Sequence, residues 1–317
     1  MTFINELKQG QKLSDEIYFV KKKVSAVSKN NRAYISFTLM DKTGTVDAKV
    51  WEPDQPEFEN VDEDDFIKIS GEVILYRNQH QIKLSSCSVA KAGTYTVSDY
   101  MPASDKDIEG MYSELLRLVD SVKTDYMKAL LDSFFRDNEF AETFKSRSAA
   151  KSIHHAFVGG LLEHTLSVAQ ICNFLARHYG NLDRDLLLTA AICHDIGKTK
   201  ELSDFPSNDY TDDGQLLGHI VIGAEMVKEH IREIPHFPKV KENELLHCIL
   251  SHHGKLEFGS PKKPMLLEAL ALSQADDLDA KQETMKEAIA STVPGETETF
   301  SYNKVLDNFF RRTSEEE

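Results

Sequence analysis

Apolar residues in this 317-residue chain recur at every second position through most of the first ninety residues and at helical spacing from Ile108 onward. A period of two belongs to half-buried strands and a period near 3.6 to amphipathic helices, so two folds stand in series. In "AYISFTLMD", Ile35, Phe37 and Leu39 alternate with Tyr34, Ser36 and Thr38. After the turn "KTG", Val46, Ala48 and Val50 share one face while Asp47, Lys49 and Trp51 share the other. "FIKISGEVILYRNQHQIKLSSCSVA" repeats the scheme, with Ile67, Ile69, Gly71, Val73 and Leu75 inward, a turn near Asn78, then Ile82 and Leu84. With the opening "DEIYFVKKKVSAVS" this makes five strands, and "EPDQPEFENV" is a non-strand insert between the third and fourth. Five short strands with an insert there predict a small closed barrel of the OB type.

The expected organisation is an all-β, OB-like nucleic-acid-binding domain over 1–97, a linker over 98–107 and an all-α domain over 108–317. Leu115, Leu116 and Val119, then Met127, Leu130, Leu131 and Phe134, fall at helical spacing. Further helices are predicted around 160–178, 183–196, 216–232, 242–253 and 264–291, and the tail "FFRRTSEEE" is expected to fray.

Hydrophobic content of 41% and charged content of 28% are those of a globular, not a disordered, chain. No uninterrupted apolar run approaches membrane-spanning length, and the first residues lack the apolar block of a secretory signal. Cys87, Cys172, Cys193 and Cys248 form no CxxC pair, so reduced thiols and a cytoplasmic location are expected. The net charge of −15 is uneven: residues 1–97 hold 13 basic and 14 acidic side chains, the remainder 24 and 38. A nearly neutral first part with clustered lysines can hold a phosphate backbone, while the acidic remainder suits cations.

The stretch "AAICHDIGK" ends an almost wholly apolar run with His194 and Asp195 side by side. A buried carboxylate is costly unless it pairs, takes up a proton or binds a metal. Other predicted helices offer matching groups: His164 in "GGLLEHTLSVA", His219 in "LLGHIVIGAEMV", His252 and His253 in "HCILSHHG", and Asp276 in "ALSQADDLDA". Each alone has a bland reading. A lone histidine beside leucines is usually a satisfied core residue, and Asp277 and Asp279 are most simply solvated helix positions. Jointly that reading weakens, because burying all of them unpaired costs several kcal/mol apiece. A shared cation removes the difficulty, since helix bundles build metal sites from facing side chains. Imidazole and carboxylate without thiolate suit Mn, Fe, Co, Ni or Zn. Five or more ligands exceed the needs of one tetrahedral ion, and two ions sharing a bridging carboxylate use them all. Asp195 is the natural bridge.

The order His164, His194–Asp195, His219, His252–His253, Asp276, with the words "HDIGK", "GHI", "SHHG" and "ADDLDA", resembles the HD-domain metal-dependent phosphohydrolases. With the barrel in front, the chain is similar over nearly its full length to the YhaM-type bacterial 3′→5′ exoribonucleases. The resemblance implies an all-helical HD-domain bundle and a nuclease using divalent metal, typically manganese. It leaves His252 or His253, and Asp276 or Asp277, open as ligands; the first of each pair is taken. One ion is then expected at His164, His194, Asp195 and Asp276, the other at Asp195, His219 and His252. Such a pair clamps the attacking and leaving oxygens of an in-line displacement, which would release nucleoside 5′-monophosphates.

Lys198 is read either as neutralising a phosphate oxygen or as a helix C-terminal lysine facing the dipole. His155 is read either as lining the substrate entrance or as a surface residue. On the barrel's outward parity, Tyr34, Trp51, Tyr76 and Arg77 are candidate stacking groups, and Lys21, Lys22, Lys23, Lys49 and Lys83 candidate phosphate contacts. Their bland readings are a solvated edge strand for "KKK" and a barrel plug for Trp51. Expected partners are single-stranded RNA and DNA, with no membrane, and homo-oligomer formation is left open. The rivals are an HD-type nucleotide or cyclic-dinucleotide phosphohydrolase regulated by its barrel, and a non-catalytic RNA-binding protein with a structural metal.

Overall fold

The computed structural model describes residues 2–27, 32–51, 56–76, 79–101, 104, 106–151, 157–290, 300–303, 306–311 and 313. The chain divides into two compact units, Met1–Ala103 with Asp204–Ser207 and Ser104–Ser203 with Asn208–Glu317.

The first unit is a closed barrel of β1 (Lys12–Val27), β2 (Ala33–Asp41), β3 (Gly44–Trp51), β4 (Phe66–Tyr76) and β5 (Gln79–Val89), in the order β1-β2-β3-β5-β4. Only the β3–β5 pairing is parallel; the others are antiparallel. The alternation fills the interior with Ile35, Phe37, Leu39, Val46, Ala48 and Val50 from one hairpin, and Ile67, Ile69, Val73, Ile82 and Leu84 from the other. The Asp41 carboxylate closes the first hairpin by accepting from the amide and hydroxyl of Thr43, at 2.7 and 2.6 Å. Gly71 sits at a register shift, where a β-carbon would stand 2.4 Å from the Lys83 carbonyl oxygen. Leu75, expected inward, is 45% exposed: β4 has passed the core by that point. The insert does more than connect, because Phe58 and Val61 are buried in the barrel core. They, not the exposed Trp51, fill space there. Tyr100, on a 3-10 turn over Val97–Tyr100, packs with Phe19, Met40, Phe66 and Tyr95.

The second unit is helical: α1 (Ile108–Asp120), α2 (Asp125–Phe135), α3 (Asn138–Ser146), α4 (Gly160–Tyr179), α5 (Arg184–Cys193), α6 (Lys198–Glu201), α7 (Asp212–Leu216), α8 (Gly218–Arg232), α9 (Lys239–Leu250) and α10 (Leu267–Ala290). At its centre lies α5, buried without interruption from Leu186 to Cys193 and packed on α2, α4, α9 and α10. A helix apolar on all sides has no solvent face, and each leucine so buried contributes about 1.5–3 kcal/mol. Asp183 caps its start by accepting from the Leu186 amide at 3.1 Å. The helix stops at Cys193 rather than continuing to 196, and residues 194–197 form a turn that leads into α6. Phe309 and Phe310 do not fray: β7 (Asn308–Phe310) pairs antiparallel with β6 (Ser301–Asn303). Among the described residues no helix is long and apolar enough to cross a membrane.

Candidate metal centre

The helical unit delivers its polar residues to one place. His164 lies in the first turns of α4, and His194 and Asp195 follow the end of α5. His219 is the second residue of α8, His252 and His253 follow α9, and Asp276 lies midway along α10. The ligand atoms fall into two groups, His164–His194–Asp276 and His219–His252–His253, each with its atoms within 4.8 Å of one another. Asp195 lies between them. Its Oδ2 is 3.5 Å from His164 Nε2 and 3.4 Å from His194 Nε2, while its Oδ1 is 3.6 Å from both His219 Nε2 and His252 Nε2.

Every imidazole of this set has its Nδ1 engaged by an oxygen. His194 donates to the Ala191 carbonyl at 2.7 Å, His252 to the Ile249 carbonyl at 2.7 Å, and His253 to the Phe258 carbonyl at 2.8 Å. His164 donates to Asp279 Oδ2 at 2.7 Å and His219 to Glu201 Oε1 at 2.9 Å. Because these oxygens accept, each Nδ1 carries a hydrogen and each Nε2 is turned to the centre, the atom that would offer its lone pair to a metal. Asp195 Oδ1, His219 Nε2 and His252 Nε2 are all buried with no hydrogen-bond partner. Three acceptors aimed at one another repel, and the desolvation cost of leaving them unsatisfied is about 1–3 kcal/mol each. A cation placed among them reverses the sign, so the donors fit a divalent metal with imidazole and carboxylate ligands.

The electrostatics agree. Burial opposes ionisation of Asp195, but Lys198, His194 and His219 outweigh it and hold the carboxyl well below the usual carboxylate range. Asp276 is likewise lowered against its burial, chiefly by His164 and His194. Burial, with His253 and His194 beside it, pushes His252 well below the usual histidine value and keeps it neutral, the form that binds metal. Lys198 stays charged because Asp195 outweighs its burial, and its Nζ lies 2.6 Å from Asp195 Oδ2. Lys198 opens α6, where a cation opposes that helix's dipole, and the Asp195 carboxylate offsets this.

Asp276, not Asp277, faces the cluster; Asp277 is exposed and pairs with Lys281 at 2.6 Å. Asp279 is not the solvated position its helix suggested, since it holds His164 and also accepts from Ser167 Oγ. Neither Asp279 nor Glu201 stands out in the sequence as a partner of the cluster. The spacing Asp276–Asp279 was the one available signal for the former, and Glu201 stands where only the folded turn brings it to His219. His155 lies outside the described residues. Ala149, His164, Lys198, Asp276 and Asp277 line a cleft of about 370 Å³ that also meets His252 and His253.

On the barrel, the structure brings together most of the expected contacts. Tyr34 and Trp51 are register partners with ring centres 5.0 Å apart. Lys49 Nζ lies 5.3 Å from the Tyr34 ring and 5.9 Å from that of Tyr76, and Lys83 pairs in register with Lys49. Lys21 and Lys22 are exposed, and Arg77 lies outside the described residues. Lys23 is engaged within the barrel instead: its ammonium donates to the Glu59 and Val61 carbonyls at 2.8 and 2.5 Å, tying β1 to the insert.

Family models match at two places, an HD domain over residues 161–281 and an OB-fold nucleic acid binding domain over residues 18–90. The 3'-5' exoribonuclease YhaM of Bacillus subtilis (strain 168) is 33% identical over 286 residues, 89% of this chain and 89% of the relative. That of Geobacillus sp. (strain WCH70) is 34% identical over 286 residues, 89% of this chain and 86% of the relative. A barrel of OB topology followed by an HD helical unit, related over nine-tenths of its length at this identity, places the chain in the family of the YhaM 3'-5' exoribonucleases.

Proposed function

We propose that this chain is a metal-dependent 3′→5′ exonuclease that hydrolyses single-stranded RNA, and DNA as well, to nucleoside 5′-monophosphates. The observation that carries the reading is Asp195 with one oxygen toward each imidazole group. The relatives' name, 3'-5' exoribonuclease, supports the polarity and the polymer. His164, His194 and Asp276 would hold one cation and His219, His252 and His253 the other, with Asp195 reaching both. Manganese is the metal that the resemblance implies and that the donor set accepts. Bound divalent cations supply Lewis-acid charge at the phosphoryl group and make water a competent nucleophile near neutral pH.

The chain's own residues do the rest. Lys198 presents a charged ammonium at the cleft, positioned to neutralise a non-bridging phosphate oxygen as negative charge builds. Glu201 and Asp279 hold His219 and His164 in the tautomer that turns Nε2 toward the metal site. Tyr34, Trp51 and Tyr76, with Lys21, Lys22, Lys49 and Lys83, offer the barrel a base-indifferent grip on a single strand.

The test is incubation of the full chain with 5′-labelled single-stranded RNA and DNA, with manganese or with chelator. A descending ladder with released mononucleotides, lost on chelation and in a folded Asp195→Asn variant, is the expected result. Internal cuts, or turnover of free nucleotides only, would favour a phosphohydrolase whose barrel regulates. Full turnover in the Asp195→Asn variant would end the proposal.

A further inference from the structure

The cleft that meets Lys198 and Asp276 is not alone beside the cluster. A second one, of about 310 Å³, opens at His219 and shares His253 and Phe258 with the first. Its wall differs in kind. Leu216, Leu217, Ile220 and Val221 supply apolar surface, and Leu216 is 82% exposed. Phe258 borders both clefts and is 56% exposed, although a phenylalanine ring gains most by burial. Its backbone is tied to the cluster: its carbonyl oxygen takes the Nδ1 hydrogen of His253, at the end of a 3-10 turn over Leu256–Phe258. Lys255 places its ammonium 4.8 Å from the ring centre, and Lys262 and Lys263 lie exposed farther along the same segment, within a unit that is otherwise strongly acidic.

An exposed aromatic ring whose backbone is tied to an imidazole of the cluster, beside an apolar shelf and the Lys255 ammonium, has the make-up of a nucleobase platform. Every base has a π-face, so such a platform tolerates any sequence. We infer that this second cleft receives the base of the 3′-terminal nucleotide, stacked on Phe258, while the phosphate lies in the Lys198 cleft. The inference rests on the exonuclease reading and assigns a substrate subsite to it. At about 310 Å³ the cleft has room for a single base and not for a run of nucleotides. It therefore takes the nucleotide that departs.

The experiment uses the full chain and two oligoribonucleotides that differ only in whether the 3′-terminal nucleotide carries its base. The readout is the ratio of kcat/KM for the base-bearing end over the abasic end. A merely structural role for Phe258 lowers both rates together and leaves this ratio unmoved. For the unaltered chain the ratio is expected to be about tenfold or more, the scale of one base–aromatic stack. In Phe258→Ala it should fall close to one, and in Phe258→Tyr it should return. If the unaltered chain degrades neither oligonucleotide, the exonuclease reading fails. Fluorescence anisotropy of the same pair in chelator then reads the cleft by itself, with the same ratios of affinity expected. A ratio near one in the unaltered chain, an undiminished ratio in Phe258→Ala, or discrimination confined to an abasic penultimate nucleotide would overturn the inference.

Discussion

A β-carbon on Gly197 would stand 2.0 Å from the carbonyl oxygen of His219 and 2.7 Å from the amide nitrogen of Gly223. The turn after α5 and the start of α8 therefore meet backbone to backbone. Only a residue without a side chain lets Asp195 and His219 come as close as they do.

Gly197→Ala should displace α8 by the width of a methyl group. Overpacking of this kind costs about 1–3 kcal/mol of stability. Urea unfolding should show that loss with the fold retained. Metal analysis should show weakened retention at the His219 group, because His219 moves with its helix. Unchanged stability together with unchanged metal content would refute the close-contact argument.

Glu201 and Asp279 each steer one imidazole. Glu201→Gln and Asp279→Asn should each lower metal affinity about 10–100-fold, the usual effect of losing a ligand's outer partner. Competition against a chelating dye would measure it. Glu201→Gln is expected to act at the His219 group and Asp279→Asn at the His164 group, so the double variant should lose both. Affinities within twofold of the parent would argue that the Nδ1 contacts are incidental.

The barrel separates two kinds of residue. Trp51→Ala, removing an exposed ring beside Tyr34, should weaken binding of single-stranded RNA by about 1–3 kcal/mol and leave barrel stability nearly unchanged. Lys23→Ala should do the reverse, because its ammonium holds the Glu59 and Val61 carbonyls. Fluorescence anisotropy and chemical unfolding, run on both variants, read the two effects independently. The same pattern in both would merge the roles assigned here.

Protein stripped of metal should respond to pH through His164. Burial opposes its charge, but Asp276 and Asp279 outweigh that and raise its pKa to about 9. The unfolded value is near 6.5, so the paired imidazolium stabilises fully below that pH and its contribution fades as pH rises through about 9. Stripped protein should lose on the order of 3 kcal/mol from this source between those limits. Unfolding curves in chelator across the range would show it, and His164→Gln should flatten them. A flat profile for the unaltered chain would contradict the pairing.

Much of this was legible in residue order alone. Ile35, Phe37 and Leu39, and again Val46, Ala48 and Val50, announce their inward faces by alternation. The run from Leu186 to Cys193, apolar but for Thr189, announces a helix buried on all sides. His164, His194, Asp195, His219, His252 and Asp276 stand out because polar groups are costly in such stretches. What stayed hidden depends on approach in space. Asp279 looks like any charge on a long helix until Ser167 and His164 come up against it. Lys23 belongs to a run of three lysines that nothing local distinguishes, and only the path of the insert selects it. Leu75 keeps the strand's alternation past the point where the barrel interior ends.

Of the five imidazoles, three lean on main-chain oxygens: those of Ala191, Ile249 and Phe258. No codon change can remove a carbonyl, so those three orientations are closed to drift. The other two rest on the side chains of Asp279 and Glu201, one serving each group. Selection, or a protein engineer, is thus left a single adjustable screw per cation, and can retune either without touching a ligand.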